Sequence, residues 1–89
     1  MQEGEFRIVN KRGLHARAAA RFVHLASTFE SSVTVSHEGE EADGKRILSL
    51  MILGAGPGTS VAIRTDGPDE GDALARLGEL IGGVFDEQD

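Results

Sequence analysis

The sequence predicts a single α+β domain over residues 1–89. Three observations carry that reading. Short segments in which apolar residues alternate with polar ones recur along the chain, as expected of half-buried strands. Two longer stretches instead repeat apolar residues every three or four positions, the stripe of an amphipathic helix. With 89 residues, 9.4 kDa and no cysteine, the chain has material for one core, held by packing rather than by disulfides or cysteine-bound zinc.

Glu5 to Val9 places Phe6 and Ile8 on one face and Glu5 and Arg7 on the other, which reads as a strand. From Ala16 to Phe29 the residues Ala19, Phe22, Val23, Ala26 and Phe29 form one helical stripe, with Arg17, Arg21 and His24 facing elsewhere. Thr28 to Ser32 reads as a turn. Ser32 to His37 alternates again with Val33 and Val35 inward, and Glu38-Gly39 turns the chain. Glu40 to Asp43 is acidic with only Ala42 to bury, as suits an edge strand that charge protects from unwanted pairing.

Ile47 to Leu53 is apolar at six of seven positions and fits either a buried strand or two turns of helix. Gly54-Ala55-Gly56-Pro57-Gly58 is a loop by composition, and it lacks the spacing of a phosphate-binding glycine motif. Its expected task is a tight passage past the loop before His15. Ser60 to Thr65 alternates with Val61 and Ile63 inward, and Asp66-Gly67-Pro68 ends that strand. Asp69 is placed to cap a final helix, Glu70 and Asp72 favour its first turn, and Ala73, Leu74, Leu77, Leu80, Ile81 and Val84 supply its stripe. Residues 66–89 hold eight acids against Arg76 alone, which reads as a solvated face and a frayed tail.

Composition excludes several function classes. No apolar run approaches the roughly 20 residues of a membrane span, and the N-terminus lacks the basic start and apolar stretch of a signal peptide. The chain is therefore expected in the cytoplasm, away from membranes. A sequence pI near 4.9 and the absence of Trp and Tyr argue against a nucleic-acid surface. His15, His24 and His37 have no metal-ligand spacing, and no nucleophile triad or carboxylate pair is legible, so neither a metal, a cofactor nor an autonomous enzyme is expected. His24 and His37 are expected at the surface.

Against the overall charge of −6, residues 7–21 carry Arg7, Lys11, Arg12, Arg17 and Arg21 and no acid. His15 lies within that segment where a loop gives way to a helix. A helix start offers unpaired amides and the positive end of the macrodipole, a setting that receives anions. A neutral imidazole nitrogen is a nucleophile, and guanidinium groups receive phosphate oxygens, so the combination points to phosphoryl chemistry with Arg17 as clamp.

Gly13-Leu14-His15-Ala16-Arg17 resembles the active-site segment of HPr, the histidine-containing phosphocarrier of the bacterial phosphoenolpyruvate-dependent phosphotransferase system. The resemblance extends over nearly the whole chain, through Ile47 to Leu53, the glycine turn, Ser60 to Thr65 and Asp69 to Leu80. It implies an open-faced sandwich of order βαββαβα, a four-stranded antiparallel sheet with three helices on one face. It also implies that Ile47 to Leu53 is a short helix with Leu50 and Leu53 inward, leaving Ile47, Leu48 and Met51 as an exposed apolar patch for docking.

The resemblance further implies that His15 accepts a phosphoryl group on Nδ1 from phosphorylated enzyme I and passes it to IIA-type proteins. The backbone at Ala16, Arg17 and Ala18 and the Arg17 side chain would receive the phosphate, with Arg21 and Arg46 in the basic rim of the docking surface and Lys45 beside them. The working unit is expected to be a monomer. The alternative is a regulatory binding module of the nitrogen-related branch, acting by docking alone. Two departures are visible: Ala18 where most members have proline, and Arg46 where Gram-positive members carry a regulatory serine. Ser49, one turn on, reads as an ordinary helix-surface serine.

Overall fold

The computed structural model describes residues 1–86. Strand β1 (Gln2–Arg7) leads to helix α1 (Ala16–Ala26), then β2 (Ser32–His37), β3 (Glu40–Asp43), α2 (Ile47–Ile52), β4 (Ser60–Asp66) and α3 (Glu70–Gly82), followed by a 3-10 turn at Val84–Asp86. The sheet order is β1-β4-β2-β3, and every neighbouring pair is antiparallel. This is the open-faced arrangement with three helices over one sheet face. Val33 and Val35 of β2, Val61 and Ile63 of β4, and Ala42 of β3 meet Ala18, Ala19, Phe22, Leu50, Leu77 and Ile81 from the helices in one core.

Several boundaries differ from those expected. Strand β1 begins at Gln2 rather than Glu5, because its backbone pairs with β4 from Gln2↔Thr65 to Arg7↔Ser60 whatever its side chains prefer. Helix α1 ends at Ala26, where the Thr28 hydroxyl and amide both bond the Leu25 carbonyl and close the last turn. Phe29 is still buried, but from the turn. Helix α3 stops at Gly82, so Val84 lies past its end and Phe85 takes the buried place. The part of the expected acidic tail beyond residue 86 lies outside the described residues. Gly78 lets α3 lie close over β1, since a Cβ there would stand 2.4 Å from the Phe6 ring.

His37 is a clear correction. It is only 7% exposed rather than superficial, and its Nδ1 lies 3.2 Å from the Ser60 carbonyl oxygen, the acceptor for an Nδ1–H. The alternation that turns Val33 and Val35 inward puts residue 37 on the same face, and that carbonyl satisfies the polar ring.

Asp69 occupies the N-cap position of α3 without capping it. Its carboxylate instead accepts from the Ser31 hydroxyl at 2.5 Å and from the Glu30 and Ser31 amides at 3.0 Å each, tying the start of α3 to the entrance of β2. The Ser31 hydroxyl first, and then those amides, hold the Asp69 carboxyl below its ordinary value. A carboxyl depressed in the folded state stabilises the fold above its unfolded pKa, and that contribution is lost as pH falls through the folded value. Thermal midpoints between pH 5 and pH 2 should therefore fall less steeply in Asp69→Asn than in the parent, with the variant already less stable at pH 7. Parallel curves would show that this carboxylate does not govern the acid limb.

Candidate functional site

The loop between β1 and α1 is pinned on both sides of His15. The Asn10 side-chain amide donates to the Gly13 carbonyl at 2.8 Å, and the Gly13 amide returns a 3.3 Å bond to the Asn10 carbonyl. Gly13 adopts φ 66°, the left-handed region that suits glycine, and a Cβ on it would stand 2.5 Å from the Ala55 carbonyl oxygen. Immediately after it, the Leu14 amide donates to that same Ala55 oxygen at 2.9 Å, and the Leu14 side chain is buried. The glycine-rich loop 54–58 thus passes against the loop before His15, as its composition suggested.

His15 follows as the N-cap of α1, with φ −77° and ψ 179°, and its carbonyl accepts the first helical bond from Ala19 at 2.9 Å. Its ring Nδ1 accepts from the Arg17 amide at 3.3 Å. An acceptor nitrogen carries no proton, so Nδ1 presents a lone pair at the positive end of the helix. Ala16 and Arg17 are exposed, whereas Ala18 is fully buried and anchors the first turn in the core.

The expected cations do not behave alike. Arg17 is exposed, and its backbone amide faces the ring. Arg21, half-buried, donates from Nη1 to the Phe85 carbonyl at 2.8 Å. Both border an open groove whose apolar part is Ala20, Leu25 and Leu80, with exposed His24 at its far end. Lys45 bonds the Phe29 carbonyl through its Nζ at 2.9 Å, finishing the turn after α1, and it lines the same surface as Arg46, Ile47 and Leu48. Arg46 is exposed, but its Nε lies 3.6 Å from the Asp43 carboxylate, which offsets part of its charge.

Helix α2 packs between α1 and β3 and buries Leu50 completely. Ile47 and Met51 are exposed at its surface and Leu48 more so, at 73%, as the patch required. Ile52, at 83% exposure, extends that ridge and was missed by sequence reasoning, although Leu48, one helical turn earlier, marked the same face. Asn10, Ala55 and Phe85 were missed as well. Only Asn10 had a local signal, an asparagine three residues before a glycine in a turn. Among the described residues no three His, Cys, Asp or Glu side chains gather as a metal site, and no helix is long and apolar enough to cross a membrane.

Fold and site together define a small open-faced α+β protein that presents one imidazole nitrogen at a basic helix start beside an apolar ridge. Residues 2–82 match the family described as PTS HPr component phosphorylation site. The phosphocarrier protein HPr of Cupriavidus necator is 45% identical over 87 residues, covering 98% of each chain, and that of Pseudomonas aeruginosa is 48% identical over 84 residues, covering 93% of each. The crystal structure of HPr-C-His from Thermoanaerobacter tengcongensis superposes with a TM-score of 0.94 at 40% identity over 99% of both chains. A crystal structure of an HPr dimer from the same organism matches with a TM-score of 0.78, also at 40% identity, covering 98% of this chain and all of that one. The chain belongs to the HPr family of phosphocarrier proteins of the phosphotransferase system.

Proposed function

We propose that the chain carries phosphoryl groups on His15 Nδ1, accepting them from phosphorylated enzyme I and passing them to IIA-type proteins. The observation that carries this reading is the Nδ1 lone pair held toward the Arg17 amide at the start of α1. In the forward step that lone pair forms a P–N bond to the donor's phosphorus while the donor's own bond to phosphorus breaks, its electron pair staying with the donor group. The Arg17 amide, released from the ring nitrogen, then has a phosphoryl oxygen to bond, as do the amides of Ala16 and Ala18. The Arg17 guanidinium supplies further charge-assisted bonds from an exposed position. His15 is half-buried and Ala16 and Arg17 are exposed, so a phosphoryl group there stays open to solvent, which suits a carrier that must release its load.

Incubation with phosphoenolpyruvate and enzyme I, followed by mapping of acid-labile phosphate, tests the assignment. Label on His15 is the expected result, and label on His24 or His37 instead would displace it. The relatives' description as phosphocarriers favours this reading over a docking-only regulator of the nitrogen-related branch, which would take no label. The monomer is the working unit in this reading, and sedimentation of the full chain tests it.

Two substitutions separate chemistry from docking. Arg17→Ala should slow transfer roughly tenfold or more, the worth of one charge-assisted bond, with unfolding free energy changed by less than about 0.5 kcal/mol. Unaltered transfer kinetics would remove Arg17 from the site. Met51→Glu should weaken enzyme I binding about tenfold, because it puts a charge into the apolar ridge facing an acidic partner, yet the protein should still fold. An unfolded Met51→Glu variant would make Met51 a core residue.

A further inference from the structure

We propose that Phe85 is a positioning residue for docking: its main-chain carbonyl holds the Arg21 guanidinium in place to receive an acidic group on the protein that approaches His15. The inference rests on the docking role given to the α1 and α2 surface above.

After α3 the chain turns back through Val84 at φ 51° and Phe85 at φ 56°, two successive non-glycine residues in the left-handed region. That conformation is disfavoured for any side chain and most of all for a β-branched valine. A turn past the last helix of the fold could relax to ordinary angles if nothing held it. Two contacts hold it: the Phe85 ring is completely buried, and the Phe85 carbonyl accepts from Arg21 Nη1 across 64 positions of sequence. The strained turn is the geometry that delivers both at once.

The acceptor's chemistry matters. A carboxylate would fix Arg21 and cancel its charge, as Asp43 partly does for Arg46. A carbonyl fixes the guanidinium and leaves its full positive charge, using one of its five N–H donors. Arg21 stands one helical turn beyond Arg17 and borders the same groove, so a fixed cation stands beside an exposed one. Immobilising a long side chain is a cost that association otherwise bears, and here the fold has met it beforehand.

The test measures binding of the full chain to enzyme I of the same bacterium. Phe85→Ala should weaken binding roughly 2- to 10-fold, the entropy of one immobilised side chain, with the transfer rate at saturation unchanged. In an Arg21→Ala background the same substitution should have no further effect. Equal losses in both backgrounds, or a fall in the saturated rate, would overturn the proposal. Phe85→Leu keeps an apolar side chain in the buried place and should retain parental affinity, and a loss equal to that of Phe85→Ala would overturn the proposal; if Phe85→Ala does not fold, the Arg21 measurement that follows carries the test. Independently of any partner, the Arg21 guanidinium should rotate slowly about Nε–Cζ by nitrogen-15 NMR in the parent, and free rotation there would overturn the proposal. If the parent does not bind enzyme I at all, the docking reading fails and this role with it, whereas binding indifferent to Phe85 removes the positioning role alone.

Discussion

His15→Ala is expected to take up no phosphate from phosphoenolpyruvate and enzyme I, a complete loss. No second imidazole can substitute: His24 is exposed farther along α1, and His37 is buried with its Nδ1 directed at the Ser60 carbonyl. The fold should survive. The ring contributes one long cap bond to the Arg17 amide, and the loss of an N-cap side chain costs about 0.5–2 kcal/mol, with a 3.3 Å bond at the lower end of that range. Labelling at the parental level in this variant would refute the acceptor assignment, and an unfolded variant would show the ring to be structural.

Gly13→Ala should be the most damaging single change in the site outside His15 itself. Alanine at φ 66° costs roughly 1–2 kcal/mol from backbone sterics alone. The added Cβ would also stand 2.5 Å from the Ala55 carbonyl oxygen, the acceptor of the Leu14 amide, so the loop must move away from its support. A total loss above about 2 kcal/mol, or roughly 8–16 °C in thermal midpoint for a domain of this size, is expected together with slower transfer as His15 shifts. Gly56→Ala is the matched control, because a Cβ there meets nothing within 4 Å and should change stability by less than about 0.5 kcal/mol. Equal effects of the two substitutions would show that the contact between the loops does not hold the site.

The segment around His15 was legible because it is local. Gly13, His15 and Arg17 lie within five residues, and a basic helix start shows in their spacing, whereas its reading as a phosphoryl acceptor came from the resemblance to HPr. The strands Ser32–His37 and Glu40–Asp43 and most of the helical stripes were legible for the same reason, since periodicity is a relation between near neighbours. Ile47 to Leu53 was not decided by its own pattern. An apolar run of seven fits strand or helix, and what makes it helical is its place between α1 and β3, where Leu50 is buried and Leu48 and Ile52 are left in solvent.

What the sequence determined by itself was the kind of element at most positions, the basic character of the segment around His15 and the exclusion of a disulfide framework. What only the tertiary structure decided were the partners. Strand β4 enters between β1 and β2, and that order makes the Ser60 carbonyl a neighbour of His37. The same packing brings Ala55 beneath Gly13, Ser31 to the Asp69 carboxylate that local pattern had assigned to a helix cap, and the Phe85 carbonyl to Arg21. Each of these contacts joins residues more than 20 positions apart. Local preference acts over a few residues and specifies conformation, whereas such pairings are fixed by how strands and helices share one core, with the hydrogen-bonding needs of buried polar groups met only once that core has formed.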